Sequence, residues 1–482
     1  MENQDGSPQV DLLITKARLI DGTGGPSRQA DLAVRGDRIA RIGDRDSIDP
    51  ASARRVIDAA GLVLAPGFVD SHTHDDFAVI GEPAMRPKIT QGVTTVIVGN
   101  CGISGAPIRL KESPPPPLNL LGQAETFAYG TFAEYAAKVD ATRPAVNVAA
   151  LIGHGTLRVA TMREISGRAT PDEIGRMRAL LDESLDAGAI GFSTGLFYLI
   201  NSGADADEVV ALAEIVSEKG GVYTTHMRDE YDRVIESLEE TFDTARRAKV
   251  PVVISHHKCA LPENYGRTRE TLPLIAAASQ RQTVGLDAYP YAAGSTVLYP
   301  EEARDDVRIM ITWSTPHPEV SGRDLADIAK AWGCSQREAG ERLLPAGAIY
   351  FQMDEADVRA ILAFPLTMIG SDGLPHDKHP HPRLWGTFPR ILGHYVREIG
   401  LFSLEQAIHK MTGLTAARFG LADRGLLREG YAADLVLFDA AKIRDTATYE
   451  NPISAAEGIS AVFVNGQSAL DGARAGRLLR KG

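Results

Sequence analysis

The sequence predicts an α/β fold: a (β/α)8 barrel of the TIM type, a small β-sandwich domain formed by both termini, and a subdomain inserted after the seventh barrel strand. Three observations carry this expectation. Eight apolar, β-rich segments recur through residues 66–419, with helical patterns between several of them. Continuous apolar strands alternating with helices belong to a parallel sheet covered on both faces. The two chain ends share a different texture of short alternating strands around Gly–Asp turns. Finally, roughly 75 residues separate the seventh segment from the eighth, more than a plain connection needs.

The small domain opens within residues 1–65. Leu12-Leu13-Ile14 leads to Gly22-Thr23-Gly24-Gly25-Pro26, and Asp31-Leu32-Ala33-Val34 turns at Gly36-Asp37 into Arg38-Ile39-Ala40-Arg41-Ile42. The same pattern returns over residues 420–482, in Leu435-Val436-Leu437-Phe438 and Ala461-Val462-Phe463-Val464. The barrel strands are expected at 63–69, 94–98, 146–152, 189–194, 222–225, 252–255, 284–288 and 366–370. Between the third and fourth, Thr170 and Glu173 form a capping box, Pro171 suits the first helical position and Gly188 the end. Ile174, Met177, Leu180, Leu181 and Leu185 then line one face at helical spacing. Ser403 and Gln406 open another helix. Ser113 followed by Pro114-Pro115-Pro116-Pro117 reads as a rigid spacer, and helical patterns at 324–332 and 336–343 fall within an insertion at about 292–363.

The chain has 482 residues, with 51 Lys and Arg against 63 Asp and Glu, a formal charge of −12. An acidic chain without a basic run argues against nucleic acid and anionic membranes as partners. Three cysteines, Cys101, Cys259 and Cys334, are too few and too odd in number for a disulfide framework. Residues 1–10 are polar, without the apolar core of a signal segment, and no apolar run approaches the roughly 20 residues of a membrane span. A cytoplasmic enzyme acting on a small molecule is the expectation.

In such a barrel the chemistry sits at the C-terminal ends of the strands. The first strand is followed by Asp70-Ser71-His72-Thr73-His74 and the second by Gly99-Asn100-Cys101-Gly102. The fifth ends in His226, the sixth in His256-His257-Lys258 and the eighth in Ser371-Asp372-Gly373. His72 and His74, two apart on an extended segment, face the same way. Imidazole, thiolate and carboxylate are the donors that suit zinc. Each position alone has a plainer reading, such as a hydrogen-bonded core histidine or a buried small hydrophobe for Cys101. Their occurrence at one rim favours a metal centre.

Ala65-Pro66-Gly67-Phe68-Val69-Asp70-Ser71-His72-Thr73-His74 resembles the opening strand of the amidohydrolase superfamily, and the fifth-strand His, sixth-strand His and eighth-strand Asp match its pattern. Gly430-Tyr431-Ala432-Ala433-Asp434-Leu435-Val436 resembles its return to the β domain. The fourth strand, around Gly191-Phe192-Ser193-Thr194-Gly195-Leu196, lacks the metal-bridging lysine of many members. Instead Cys101, Ser255-His256-His257-Lys258, Gly370-Ser371-Asp372-Gly373 and His381-Pro382-Arg383-Leu384-Trp385-Gly386 resemble the N-acyl-D-amino-acid deacylases, or D-aminoacylases.

The resemblance implies zinc-dependent hydrolysis of the amide bond of N-acyl-D-amino acids. Cys101, His226 and His256 would hold one tight zinc, and His72 and His74 would offer a second, weaker position that Asp372 also borders. Asp372 would take the proton of the attacking water and pass it to the leaving amine. Arg383 and Lys258, with Tyr198, Tyr289 and Ser295, would bind the α-carboxylate, which arginine pairs in bidentate fashion. His154, His257, Asp229 and Glu230 receive supporting roles only. Arg304 follows Glu301 and Glu302, so neutral or apolar D residues are favoured over D-glutamate or D-aspartate. Three alternatives stand beside this: another amidohydrolase (a cyclic amidase of the dihydroorotase or hydantoinase type, or a dipeptidase), a deaminase, and a non-catalytic scaffold of the same fold.

Overall fold

The computed structural model describes residues 10–481, so the absence of a signal core, read from the first ten residues, concerns almost entirely positions outside it. Eight parallel strands form the barrel: β1 (Phe68–Asp70), β2 (Val93–Val98), β3 (Asn147–Gly153), β4 (Gly191–Gly195), β5 (Val222–His226), β6 (Val252–Ile254), β7 (Val284–Ala288) and β8 (Thr367–Ile369). Their residues are buried throughout, which is why most of them read as apolar runs, while β4 and β5 bury Ser193, Thr194, Thr224 and Thr225 as well. Alternate side chains serve two cores. Val252 and Ile254 join the outer layer of helices, while Val253 joins Val69, Ile97, Leu151 and Met368 in a separate cluster capped by Phe419 and Leu421.

No regular ladder joins β1 to β8. The barrel closes there through an isolated bridge between Thr73 and Gly373. The Ser71 N–H donates to the Ile369 carbonyl (3.3 Å), and the His74 N–H to the Gly373 carbonyl (3.0 Å). The Asp372 N–H donates to the His72 carbonyl (2.7 Å), so residues from the β1 and β8 ends are held together by backbone.

The helix Pro171–Asp186 carries the capping box read from its sequence, Thr170 and Glu173 satisfying each other's N–H groups, and it buries Met177, Leu181 and Leu185. The helix Leu404–Met411 repeats the device with Ser403 and Gln406. Between β7 and β8 the chain builds a three-stranded antiparallel sheet (Gly294–Val297, Ala346–Phe351, Arg308–Ser314) and the helices Leu325–Trp332 and Gln336–Leu343 around a core of their own.

Both ends of the chain meet in one eight-stranded sheet. Hydrogen bonding joins the strands of both termini into one branched sheet, and side chains from both of its arms, among them Leu12, Leu32, Leu435 and Phe463, share one core. The first half of Val10–Leu19 pairs with Ala53–Asp58, and its last residues pair with Val63–Pro66. The branch arises at a register shift between Ile14 and Ala17, where Lys16 has φ +59°. A bulge of this kind bends a strand and frees it to change partner. Among the described residues no helix is long and apolar enough to cross a membrane.

Candidate metal centre

Five strand ends converge on one buried cluster. Cys101 Sγ lies 3.2 Å from His72 Nε2 and 3.2 Å from His256 Nε2. Asp372 Oδ1 lies 3.2 Å from His74 Nε2 and 3.4 Å from His72 Nε2. Two donor sets result, both buried: His72, His74, Cys101 and Asp372, and Cys101, His226 and His256, with ligand atoms in each set within 4.8 Å of one another. Cys101 belongs to both. A thiolate and two imidazoles leave one tetrahedral position open for a reactant, the arrangement of a catalytic zinc.

The backbone delivers these donors by unusual means. Cys101 (φ +53°), His256 (φ +35°) and Asp372 (φ +48°) all sit in the left-handed region, which costs of order 1–3 kcal/mol each for a residue other than glycine. Around Cys101 the turn is pressed against its neighbours. A Cβ on Gly99 would meet the Leu151 carbonyl at 2.1 Å, and one on Gly102 would meet the Gly195 nitrogen at 2.6 Å. The Gly-Asn-Cys-Gly motif is therefore a steric requirement for bringing the thiol to the barrel axis.

Electrostatics prepare the donors. Burial alone would raise the Cys101 thiol, but His72 and His256 beside it hold it well below the ordinary cysteine range, as a thiolate. Burial would likewise raise Asp372, and Arg383 and His72 hold it well below the usual carboxylate range. Burial lowers His226, leaving a neutral imidazole fit to ligate. Against burial and Lys258, Glu230 and the Cys101 thiolate push His256 up to about 9, so the donor set fits zinc in residue type and binding the ion would release the His256 proton.

Of the residues read from the sequence, His74, Cys101, Tyr198, His226, His256, Lys258, Tyr289, Ser295 and Asp372 line one cavity. His72 and Arg383 do not. His72 is fully buried behind Cys101, and Arg383, 1% exposed, reaches the cavity through an ion pair of 2.9 Å between Nη1 and Asp372 Oδ2. The Arg383 guanidinium lies over the Tyr289 ring at 4.6 Å and donates to the Ser295 carbonyl at 3.0 Å. Ser295 Oγ has no partner, whereas Tyr198 Oη is 3.2 Å from Thr296 Oγ1. Lys258 donates to both oxygens of Glu230 at 2.7 Å, and Glu230 Oε1 is 3.1 Å from His256 Nδ1. Glu230 is thus placed to orient the His256 imidazole. His257 turns away to Thr271 (2.9 Å), His154 pairs with Glu208 (2.8 Å), and Asp229 accepts from the Tyr231 N–H in a local turn. Arg304 pairs with Glu263 and Asp306, not with Glu301 or Glu302.

Two functional neighbours escaped the sequence reading. Asp287, at the end of β7, accepts from the His256 N–H (2.8 Å) and faces His72 Nδ1 at 3.3 Å. A carboxylate at a strand end was a signal available in the sequence. Lys88, wholly buried in the short helix Arg86–Ile89, contacts Asp70 (2.8 Å), Asp75 (3.1 Å), Thr73 Oγ1 (2.9 Å) and Ser371 Oγ (2.8 Å), tying the ends of β1 and β8. Lys88→Met leaves Asp70 and Asp75 buried without their cation, so urea unfolding of the zinc-loaded protein should register a loss of about 3–5 kcal/mol. A loss below about 1 kcal/mol would show the network to be dispensable.

The protein-family model of the amidohydrolases matches residues 55–332 and 333–469. The chain is 54% identical to D-aminoacylase of Alcaligenes xylosoxydans xylosoxydans over 99% of each chain. It is 52% identical to the N-acyl-D-aspartate deacylase of the same organism, over 98% of this chain and 94% of that one. Among solved structures it is similar to N-acyl-D-glutamate deacylase from Bordetella bronchiseptica in complex with zinc and a phosphonate mimic of the tetrahedral intermediate. That match has a TM-score of 0.95 at 48% identity and covers 98% of this chain and 100% of that one.

Proposed function

The chain belongs to the N-acyl-D-amino-acid deacylase (D-aminoacylase) family of amidohydrolases, and from that membership we infer that it hydrolyses the amide bond of N-acyl-D-amino acids, releasing a carboxylate and a free D-amino acid. The observation that supports this best is the buried thiolate–imidazole cluster of Cys101, His226 and His256 beside the ionised Asp372. β4, Gly191–Gly195, carries no lysine, as suits a centre built on a cysteine rather than on a bridging lysine.

Cys101, His226 and His256 are the residues that would hold the tight zinc, and His72, His74 and Asp372 those that would border a second ion. With zinc held, the chemistry supplied is Lewis-acid polarisation of the scissile carbonyl and a nucleophile available near neutral pH. Asp372, kept ionised by Arg383 and His72, accepts the proton of the attacking water and returns it to the leaving nitrogen. Asp287 and Glu230 orient the His72 and His256 rings. The α-carboxylate is read by Arg383, with Tyr198, Tyr289, Ser295 and Lys258 around it. The unpartnered Ser295 hydroxyl and the Arg383–Tyr289 stack support that role. A neutral or apolar D side chain fits best, since Arg304, the cation beyond those set around the α-carboxylate, is held by Glu263 and Asp306. A thiolate ligand and three unpaired cysteines favour a reducing, cytoplasmic setting, and the acidic surface charge disfavours nucleic acid.

The test is a screen of N-acetyl-D- and N-acetyl-L-amino acids on zinc-quantified protein. Turnover confined to the D series is expected; equal turnover of the L series, or faster opening of cyclic ureides, would refute the reading. Arg383→Met should raise KM for N-acetyl-D-amino acids by about tenfold to a hundredfold, the worth of a charge-assisted pair. The corresponding amino amide, which has no anion, controls for the lost Asp372 contact, because that loss falls on both substrates. Equal losses on acid and amide would restrict Arg383 to supporting Asp372.

A further inference from the structure

We propose, resting on the zinc centre of the deacylase reading above, that Ser193 on β4 and Asp76 past β1 are positioning residues. They hold the turn that carries Cys101 in its ligating conformation and so set how tightly zinc is bound, although neither belongs to either donor set. The Ser193 hydroxyl grips the turn on both sides of the cysteine. It donates to the Gly99 carbonyl at 2.5 Å and accepts from the Gly102 N–H at 3.0 Å. The Asp76 carboxylate grips the same loop at two further points. Its Oδ2 accepts from the Gly99 N–H at 3.3 Å and its Oδ1 from the Gly105 N–H at 3.0 Å. Asp76 stands two residues past His74, so these bonds also tie the thiol's loop to the histidine pair.

The turn needs holding. Cys101 has φ +53°, a conformation that a residue with a side chain keeps only where its surroundings over-determine it. Ser193 and Asp76 are buried, as are Gly99, Gly102 and Gly105, so water does not stand in for a lost bond. β4 also presses on the turn: a Cβ on Gly195 would meet the Cys101 carbonyl at 2.1 Å. The strand thus has a part in the centre without supplying a ligand. Its Gly-Phe-Ser-Thr-Gly-Leu motif gives one hydroxyl that clamps the turn and one glycine that makes room for it. Partners that orient a metal ligand from behind typically contribute about tenfold to a hundredfold in metal affinity.

The experiment equilibrates the zinc-loaded full chain with zinc buffered by a competing chelator and measures the zinc retained. Ser193→Ala should bind zinc about tenfold to a hundredfold more weakly than wild type. Thr194→Val is the control for a lost buried hydroxyl. Thr194, next on the strand, faces the other way and bonds Tyr223 Oη at 3.0 Å and Thr225 Oγ1 at 2.8 Å, so its loss should cost stability but no zinc affinity. Asp76→Asn, which keeps the shape but only one of the two acceptors, should weaken zinc in the same direction as Ser193→Ala, and it decides the matter if Ser193→Ala does not fold. Wild-type zinc affinity in Ser193→Ala and Asp76→Asn overturns the clamp and leaves the deacylase standing. So does an equal loss in Thr194→Val, which would make the effect one of strand integrity. Cobalt exchanged into the wild-type protein keeps the two readings apart. Absence of a thiolate-to-cobalt charge-transfer band there overturns the thiolate centre itself, and the clamp with it.

Discussion

Asp372→Asn is expected to fold, to keep the zinc held by Cys101, His226 and His256, and to lose roughly 10²–10⁴ in kcat, the worth of a positioned general base and acid. Asparagine is the right substitution for two reasons. It retains the shape of the side chain but cannot take up the water's proton. It also tolerates left-handed backbone, which Asp372 adopts at φ +48°, so the turn after β8 need not rearrange. Elemental analysis and a thermal midpoint establish that the variant is loaded and folded before its turnover is read. Turnover near that of the wild type in such protein would reduce Asp372 to its hydrogen bond with the β1 end.

Cys101→Ala should remove most of the zinc, and with it a thousandfold or more of the activity, since a Lewis-acid metal contributes several kcal/mol at about 1.4 kcal/mol per tenfold. Cys101 is the one residue common to both donor sets, so its removal dismantles both, whereas His74→Ala removes a ligand from the second set alone. The contrast between the two variants separates the sites. Zinc content and turnover should collapse in Cys101→Ala and largely persist in His74→Ala. Full zinc and full activity in Cys101→Ala would place the metal elsewhere.

Much of the barrel and of its candidate donors could be read from the sequence because both follow local rules. Apolar runs fix the strands, the capping box at Thr170 fixes a helix start, and barrel geometry says that side chains just past strand ends meet. That His72, Cys101, His226, His256 and Asp372 gather at one rim needed nothing more, whereas their proposed roles as ligands and base rest on the family resemblance. What stayed hidden depends on distant partners. Lys88 sits in a four-residue helix without a motif, and its contacts Asp70 and Ser371 come from opposite ends of the barrel. The branch in the terminal sheet turns on a bulge at Lys16, a residue type that gives no hint of left-handed backbone. Arg304 stands beside Glu301 and Glu302 in the sequence, but folding brings it Glu263, 41 positions away.

The left-handed backbone beneath Cys101, His256 and Asp372 bears on how such a centre can change over generations. A replacement at these positions must both coordinate and accept a positive φ, a demand that β-branched residues fail. At Cys101 the flanking Gly99 and Gly102 cannot gain a side chain without colliding with the adjacent strands. The donor and its two glycines are therefore a single heritable unit. Descendants can change the rim loops one residue at a time, while the turn that carries the thiol is kept whole or lost whole.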